Sequence, residues 1–412
     1  MSAALDRIAR EASGRIVAAL AARYRDLDIA EDAFAEACAR AVELWPREGE
    51  PRDPAAWLFR VADRCALDAL RRRRTRQRLV PEAPEPEPSA EDIMIDDAHL
   101  IPDERLRLIF VCCHPAVAIE ARAALTLRMV CGLGTPEIAR AFLLAEPTLA
   151  QRLVRAKRKI AEAGVSFEVP GPEAWPERLD AVLSTLEVAY AKAHEDAAGA
   201  GPHAGYATEM LELTRVLAEM LPQEPEAQAL AALVRYAEAR RPARLDEHGV
   251  MVPLSDQDPT LWRAPMIADA DAYLGRAFAL APPLPRVLQA AIHAVWCARR
   301  SLDEPAPWPR VLALYDALLA QRDDPVVRLN RAVALAEVAG PAAAIDEVTA
   351  LDARFDLVRF PPFHAVRADL LRRLGRIDEA RAAYDAALAL EPAPAERLWL
   401  MQRRASLTFG NA

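Results

Sequence analysis

Between Thr148 and Lys159 the chain sets Thr148, Gln151, Arg152, Arg155, Arg158 and Lys159 into a short stretch whose apolar residues fall at other positions. Glutamine and arginine each present paired polar atoms that fit two atoms on one base edge, whereas isolated cations hold phosphate oxygens. The chemistry these side chains suit is recognition of duplex nucleic acid in the major groove. A cationic amphipathic helix left to solvent would carry the same residue types.

The elements that position these residues lie between Thr135 and Ile160. Thr135 suits an N-cap and Pro136 the first helical position, where a missing N–H costs nothing. That helix turns Ile138, Ala139 and Phe142 inward. After a break at Leu143 to Glu146, a second helix opens with Pro147 and buries Leu149, Leu153, Ala156 and Ile160, spaced four, three and four apart. At about 100° per residue the opposite face presents Thr148, Gln151, Arg155 and Arg158, flanked by Arg152, Lys157 and Lys159 as phosphate contacts. The pattern is that of a helix-turn-helix.

Other reactive residues do not assemble into chemistry. Cys112, Cys113 and His114 are adjacent, and neighbouring helical residues point about 100° apart, so they cannot all face one ion. His194-Glu195 lacks the second histidine of a zinc-protease helix, and no GxxxxGK phosphate loop occurs. The six cysteines show no CxxC spacing and read as reduced, mostly buried thiols. No catalytic residues, metal or cofactor are expected.

A chain of 412 residues implies two to four domains. Only 14 glycines and long alanine- and leucine-rich periodic runs imply an all-α fold without substantial sheet. No run of about 18 apolar residues occurs and the first residues lack a basic-then-apolar leader, so a cytoplasmic protein without membrane association is expected. The net charge of -9 conceals a division. Residues 1–80 carry 16 Lys and Arg against 13 Asp and Glu, and residues 104–160 carry 10 against 4. Residues 81–103 carry 8 acids and no base, and residues 161–412 carry 26 bases against 36 acids. Two basic N-terminal blocks thus flank an acidic segment, and it is the local field that attracts phosphate.

The first block reads as helices broken near Tyr24 to Asp28 and at Pro46 to Pro54. Asp28 suits a cap, with Glu31 and Asp32 in the first turn, where carboxylates oppose the helix dipole favourably. In the next helix Leu58, Val61, Cys65 and Ala69 form the apolar stripe beside Trp57, and six arginines follow among residues 71–78. Trp57 alone reads as a core or interface anchor rather than a base-stacking platform, and the arginines as a solvated end. The segment PEAPEPEPSAEDIMIDD has four prolines and no helical period, as an extended acidic linker would.

Taken together, Asp28-Ile-Ala-Glu31-Asp32, Leu44-Trp45-Pro46, Pro54-Ala-Ala-Trp57-Leu58 and Asp68-Ala-Leu-Arg71-Arg72 resemble region two of extracytoplasmic-function sigma factors. Glu137-Ile138-Ala139 with Thr148, Arg152 and Arg155-Ala156 resembles region four of the same proteins. RLRLIFVCCHPA (105–116) and the helical tail are similar to the subgroup with a C-terminal tetratricopeptide-like extension. The resemblance implies that Asp28, Glu31, Asp32 and Trp45 dock on core RNA polymerase. It implies that Trp57, Arg60, Arg64, Arg71 and Arg72 open and hold the upstream melted element of promoter DNA, a task that suits aromatic and cationic groups. The chain departs from the family pattern at Ala35, Arg64, Leu143 and Ala145.

The implied organisation is region two at 1–80, the linker at 81–103, region four at 104–165 and a helical-repeat tail at 166–412. In the tail, Gly375, Ala380, Tyr384, Ala387 and Pro392 match the small, aromatic and proline positions of a tetratricopeptide repeat, and Gly340 closes a copy about thirty-five residues earlier. Leu211 to Ala239 and Pro285 to Arg300 read as paired helices, and 245–263 as an ordered loop between them. The concave face of such a repeat is a candidate groove for a protein partner or ligand. Two other readings remain: an operator-binding regulator using only Thr135 to Ile160, and a repeat scaffold that does not dock on polymerase.

Overall fold

The computed structural model describes residues 3–77, 104–142, 144–165, 167, 175–195, 206–355 and 357–407. The linker 81–103 and Leu143 lie outside the described residues. The fold is all-α: α1 (Ala3–Tyr24), α2 (Leu27–Glu48), α3 (Pro54–Gln77), α4 (Arg105–Cys112), α5 (Ile119–Met129), α6 (Thr135–Ala141), α7 (Glu146–Glu162), α8 (Trp175–Glu195), α9 (Tyr206–Met220), α10 (Pro225–Ala239), α11 (Ala264–Leu280), α12 (Pro285–Cys297), α13 (Trp308–Gln321), α14 (Pro325–Ala339), α15 (Pro341–Phe355), α16 (Pro361–Arg373), α17 (Ile377–Ala389) and α18 (Pro394–Ser406). Among the described residues the only β pairing is the isolated bridge Leu245–Met251. Two compact units result, one of Met1–Ala193 with Pro202–Leu213, the other of His194–Gly201 with Thr214–Ala412.

In the first unit, α1 to α3 form a three-helix core. Ile16 and Leu20 of α1, Ala30, Ala33, Ala37 and Ala41 of α2, and Leu58, Ala62 and Ala66 of α3 are all buried. The alanine stripe of α2 recurs every third or fourth residue and lets its neighbours approach closely. Tyr24 Oη donates to Asp63 Oδ1 at 2.7 Å, tying the end of α1 to α3. The cap of α2 is Asp26, not Asp28: Asp26 Oδ1 accepts from the backbone N–H groups of Asp28 and Ile29. Asp28 therefore sits inside the first turn, its carboxylate available to a partner outside α2. Asp53 caps α3 in the same way, accepting from Ala56 N–H.

Helices α4 to α7 form the second half of this unit. Leu108 to Cys113, Leu125, Leu127 and Met129 are buried together with Ile138 and Leu149. At Gly14 of α1 the two halves approach closely. A Cβ there would lie 1.8 Å from the carbonyl oxygen of Val130, so only glycine permits the approach. Most of α8 also belongs to this unit: a Cys113–Thr185 hydrogen bond, Sγ to Oγ1, spans 3.6 Å. The compact unit thus extends beyond residue 165, and Thr185 of α8 bonds the buried Cys113 at the end of α4.

The second unit stacks helices in consecutive pairs. Its core includes Leu329, Ala332, Ala344, Phe363, Ala368, Leu370, Ala380, Tyr384, Ala387 and Leu400. Gly340 and Gly375, at φ of 91° and 74°, let the chain leave α14 and α16 through backbone conformations that side chains rarely adopt. Leu211–Ala239 resolves into α9 and α10, whereas Pro285–Arg300 supplies only α12, which packs on α10 and on α13. The segment 245–263 is ordered by short 3₁₀ turns at Leu254–Asp256 and Pro259–Leu261.

Candidate nucleic-acid interface

The helix-turn-helix forms as α6 and α7, each displaced by one residue from the expected start. Ile138 N–H donates to Gly134 C=O at 3.1 Å and Leu149 N–H to Ala145 C=O at 3.1 Å, so Gly134 rather than Thr135 stands at the cap of α6 and Ala145 at that of α7. Pro136 and Pro147 remain in the first turns, where their missing N–H groups are unneeded. Leu149, Leu153, Ala156 and Ile160 are the buried residues of α7. The opposite face exposes Thr148, Gln151, Arg155, Arg158 and Lys159, with Arg152 half-buried.

The exposed face is not uniformly engaged. Arg158 and Lys159 both approach Glu162, at 3.3 and 3.0 Å. The hydrogen bond from Lys159 holds the Glu162 carboxyl below the usual carboxylate range. Gln151, Arg152 and Arg155 have no hydrogen bond or ion pair among the described residues. Three side chains able to bond bases or phosphates therefore stand unpartnered. Val154, 61% exposed, lies at the edge of the same face and supplies an apolar surface of the kind that meets a thymine methyl. Its signal in the sequence is a valine off the buried stripe.

On α3, Trp57, Arg60, Arg64 and Arg71 are spaced three, four and seven apart, which places them along one side of the helix. Trp57 is half-buried, and the four arginines Arg60, Arg64, Arg71 and Arg72 are exposed. Arg73 is tied down instead, donating to Asp26 Oδ2 at 2.8 Å. Trp57 meets Trp45 of α2 edge to face, with ring centroids 5.5 Å apart.

The acidic residues of α2 are divided. Asp32 is exposed and has no partner among the described residues. Glu31 accepts from Arg128 Nε of α5 at 2.7 Å and from Lys157 Nζ of α7 at 2.9 Å, and Lys157 also reaches Asp28. Lys157 is thus held by carboxylates rather than set out as a phosphate contact, and its side chain is only 16% exposed. Burial works against its charge, but the bonds and charges of Asp28 and Glu31 outweigh burial and hold the ammonium above the usual lysine range. Spacing within α7 gave no sign of this, because the partners lie more than 120 residues earlier. Trp45 is half-buried and stands about 140° around α2 from Asp32, so these two residues do not share one face.

Cys112 and Cys113 are fully buried, and burial is the main reason their thiols sit above the usual range. Among the described residues no group of three His, Cys, Asp or Glu is placed to hold a metal ion. No helix there is long and apolar enough to cross a membrane.

Two helical domains, one with an acidic helix beside an arginine-bearing helix and one with a helix-turn-helix, define a transcription-initiation subunit of the sigma-70 class. Residues 9–76 match sigma-70 region 2, residues 107–160 match sigma-70 region 4, and residues 178–278 match a family of unknown function, DUF6596. The chain belongs to the extracytoplasmic-function sigma factors that carry a C-terminal extension. It binds core RNA polymerase and promoter DNA, and sigma factor families are not enzymes. An uncharacterized protein of Rhizobium meliloti (strain 1021) is 40% identical over 388 residues, which cover 93% of this chain and 90% of that protein. No solved structure matches the chain.

Proposed function

We propose that this sigma factor reads its promoter with the outer face of α7 and melts it with α3, while its tail sets its activity. Thr148, Gln151, Arg152 and Arg155 contact the upstream element, Gln151 and Arg155 on base edges, and Arg158 and Lys159 hold phosphates. Trp57, Arg60, Arg64, Arg71 and Arg72 hold the melted strand, and Asp28, Glu31, Asp32 and Trp45 dock on core polymerase. Region two takes 1–80, the linker 81–103, region four 104–165 and the regulatory tail 166–412. The observation that carries this reading is that Gln151 and Arg155, without a partner among the described residues, stand opposite the buried stripe of the same helix, with Arg152 on its flank.

The tail's support is a cavity of about 730 Å³ in the second unit, lined among others by Leu254, Trp308, Leu370, Trp399 and Arg403. Its size suits a small ligand or a few peptide side chains. The guanidinium of Arg403 lies 5.3 Å from the centroid of Trp399, where a cation and an aromatic face meet any occupant together.

In vitro transcription with core polymerase on the chain's own upstream region tests the reading. Transcripts are expected from that region with the full chain and are expected to fall when Asp32→Lys is combined with Trp45→Ala. Undiminished transcripts with this variant would overturn the docking assignment, and a footprint without transcription would favour a simple operator binder.

A further inference from the structure

Four charged groups join the two halves of the first unit at a place that matters for docking. Lys157 of α7 and Arg128 of α5 converge on Glu31 of α2, and Lys157 also holds Asp28. Glu31 and Lys157 are well shielded, with side chains 17% and 16% exposed. Behind this cluster Gly14 brings α1 against the carbonyl of Val130, so the halves meet through backbone packing as well as charge. Isolated surface ion pairs contribute little, whereas several charges that share one site form a network.

We infer that the basic side of region four covers the polymerase-docking side of region two in the free protein, and that core polymerase must displace Lys157 and Arg128 to reach Asp28 and Glu31. The inference rests on the proposed role of those two carboxylates in docking. Asp32, on the adjoining turn, stays exposed and offers polymerase a first contact before the seam opens. The same movement carries α7 away from α2 and frees the reading face to take up the separation that its promoter element requires. A sigma factor built this way restrains its own docking without a second protein, because the cation that occupies the docking acids sits on its own DNA-reading helix. By population-shift reasoning, whatever weakens the closed state raises apparent affinity for polymerase by the same factor.

The test uses the full chain, with and without core polymerase. Carbodiimide coupling joins a lysine amine directly to a carboxylate in contact with it, and peptide mass spectrometry locates the link. In the free protein Lys157 is expected to couple to Glu31 or Asp28, and saturating core polymerase is expected to reduce that product at least about fivefold. Absence of the product in the free protein, or its persistence in the complex, would overturn the inference. In parallel, Arg128→Glu with Lys157→Glu is expected to bind core about tenfold tighter in the absence of DNA. Unchanged or weaker binding by a variant of native helical content would count against it, and the wild-type coupling decides if the variant does not fold. If Asp32→Lys with Trp45→Ala leaves core binding intact, the docking reading itself fails. If that variant loses binding while coupling persists in the complex, only the closed state fails.

Discussion

Trp45 and Trp57 meet edge to face with their ring centroids 5.5 Å apart, joining the helix assigned to polymerase to the helix assigned to melted DNA. Both indoles are half-buried, and Trp45 Nε1 is enclosed without a hydrogen-bond partner. An aromatic pair of this geometry contributes about 0.5–1.5 kcal/mol beyond its buried area. A double-mutant cycle of Trp45→Ala and Trp57→Ala, read by thermal unfolding, is therefore expected to return a coupling in that range. A second readout is open-complex formation, which should fall for both single variants. Independent, additive effects on stability would show that the rings do not support each other.

Base readout and phosphate contact separate on α7. Gln151→Ala and Arg155→Ala are each expected to cost about 1–3 kcal/mol and to relax preference at particular upstream base pairs. Lys159→Ala should weaken binding evenly across sequences and flatten its salt dependence. Because Lys159 also bonds Glu162, removing that carboxylate by Glu162→Gln should strengthen binding modestly. Binding titrations over a set of single-base promoter variants check all four, and a uniform loss for Gln151→Ala would remove it from the reading face.

The seam between the halves of the first unit depends on Gly14. Adding a side chain at a point where Cβ would meet a backbone oxygen forces the helices apart, and such overpacking costs about 1–3 kcal/mol. Gly14→Val is expected to lower the melting temperature and to broaden or split the transition as the halves lose their contact. A wild-type melting curve would mean that α1 and Val130 do not touch in solution.

Much of this arrangement was legible in the sequence and some was not. The stripe Leu149, Leu153, Ala156, Ile160 was readable because helix period alone fixes which residues of one helix turn inward. The repeat positions Ala380, Tyr384 and Ala387 were readable for the same reason, and all three are buried. Capping was readable only to within a residue or two: Asp26 and Asp28 are chemically equivalent candidates, and the fold of the preceding bend chose Asp26. The bonds from Lys157 to Asp28 and Glu31 were not readable, since nothing local to either helix encodes a pairing across the whole unit. The place of α8 was hidden too, because the irregular stretch after Gly164 looks like a boundary while Thr185 bonds Cys113 across it.

Thiol reactivity offers a check on packing within α2. Burial pushes the Cys38 thiol up to about 11 from its ordinary value of 9.0. The thiolate is the reactive form, so at pH 8 the native protein should alkylate at Cys38 about a hundredfold more slowly than the unfolded chain. The rate should climb as pH rises toward 11. Timed iodoacetamide labelling with peptide mass spectrometry measures this, and rapid labelling of the native protein at pH 8 would show α2 to be less tightly packed on its neighbours.

The last expectation concerns the tail. Residues 161–412 carry 36 acids against 26 bases, while the two DNA-binding blocks are basic. That excess lies in residues 161–213, with 10 acids against 2 bases, whereas residues 214–412 carry 26 against 24, so the second unit would act through the stability and shape that a ligand in its cavity changes rather than through its charge. A deletion that tests this must leave the first unit whole. Truncation near residue 177 would remove α8 and uncover Cys113, confusing lost regulation with lost folding. A chain ending at Leu213 keeps the entire first unit. That truncated protein is expected to retain cooperative unfolding and to differ from the full chain by at least about tenfold in transcription from a cognate promoter, a coupling of roughly 1.4 kcal/mol. Either sign is informative: a rise identifies the tail as a restraint, and a fall identifies it as an activating contact. Equal rates at all salt and protein concentrations would reduce the second unit to a passive appendage.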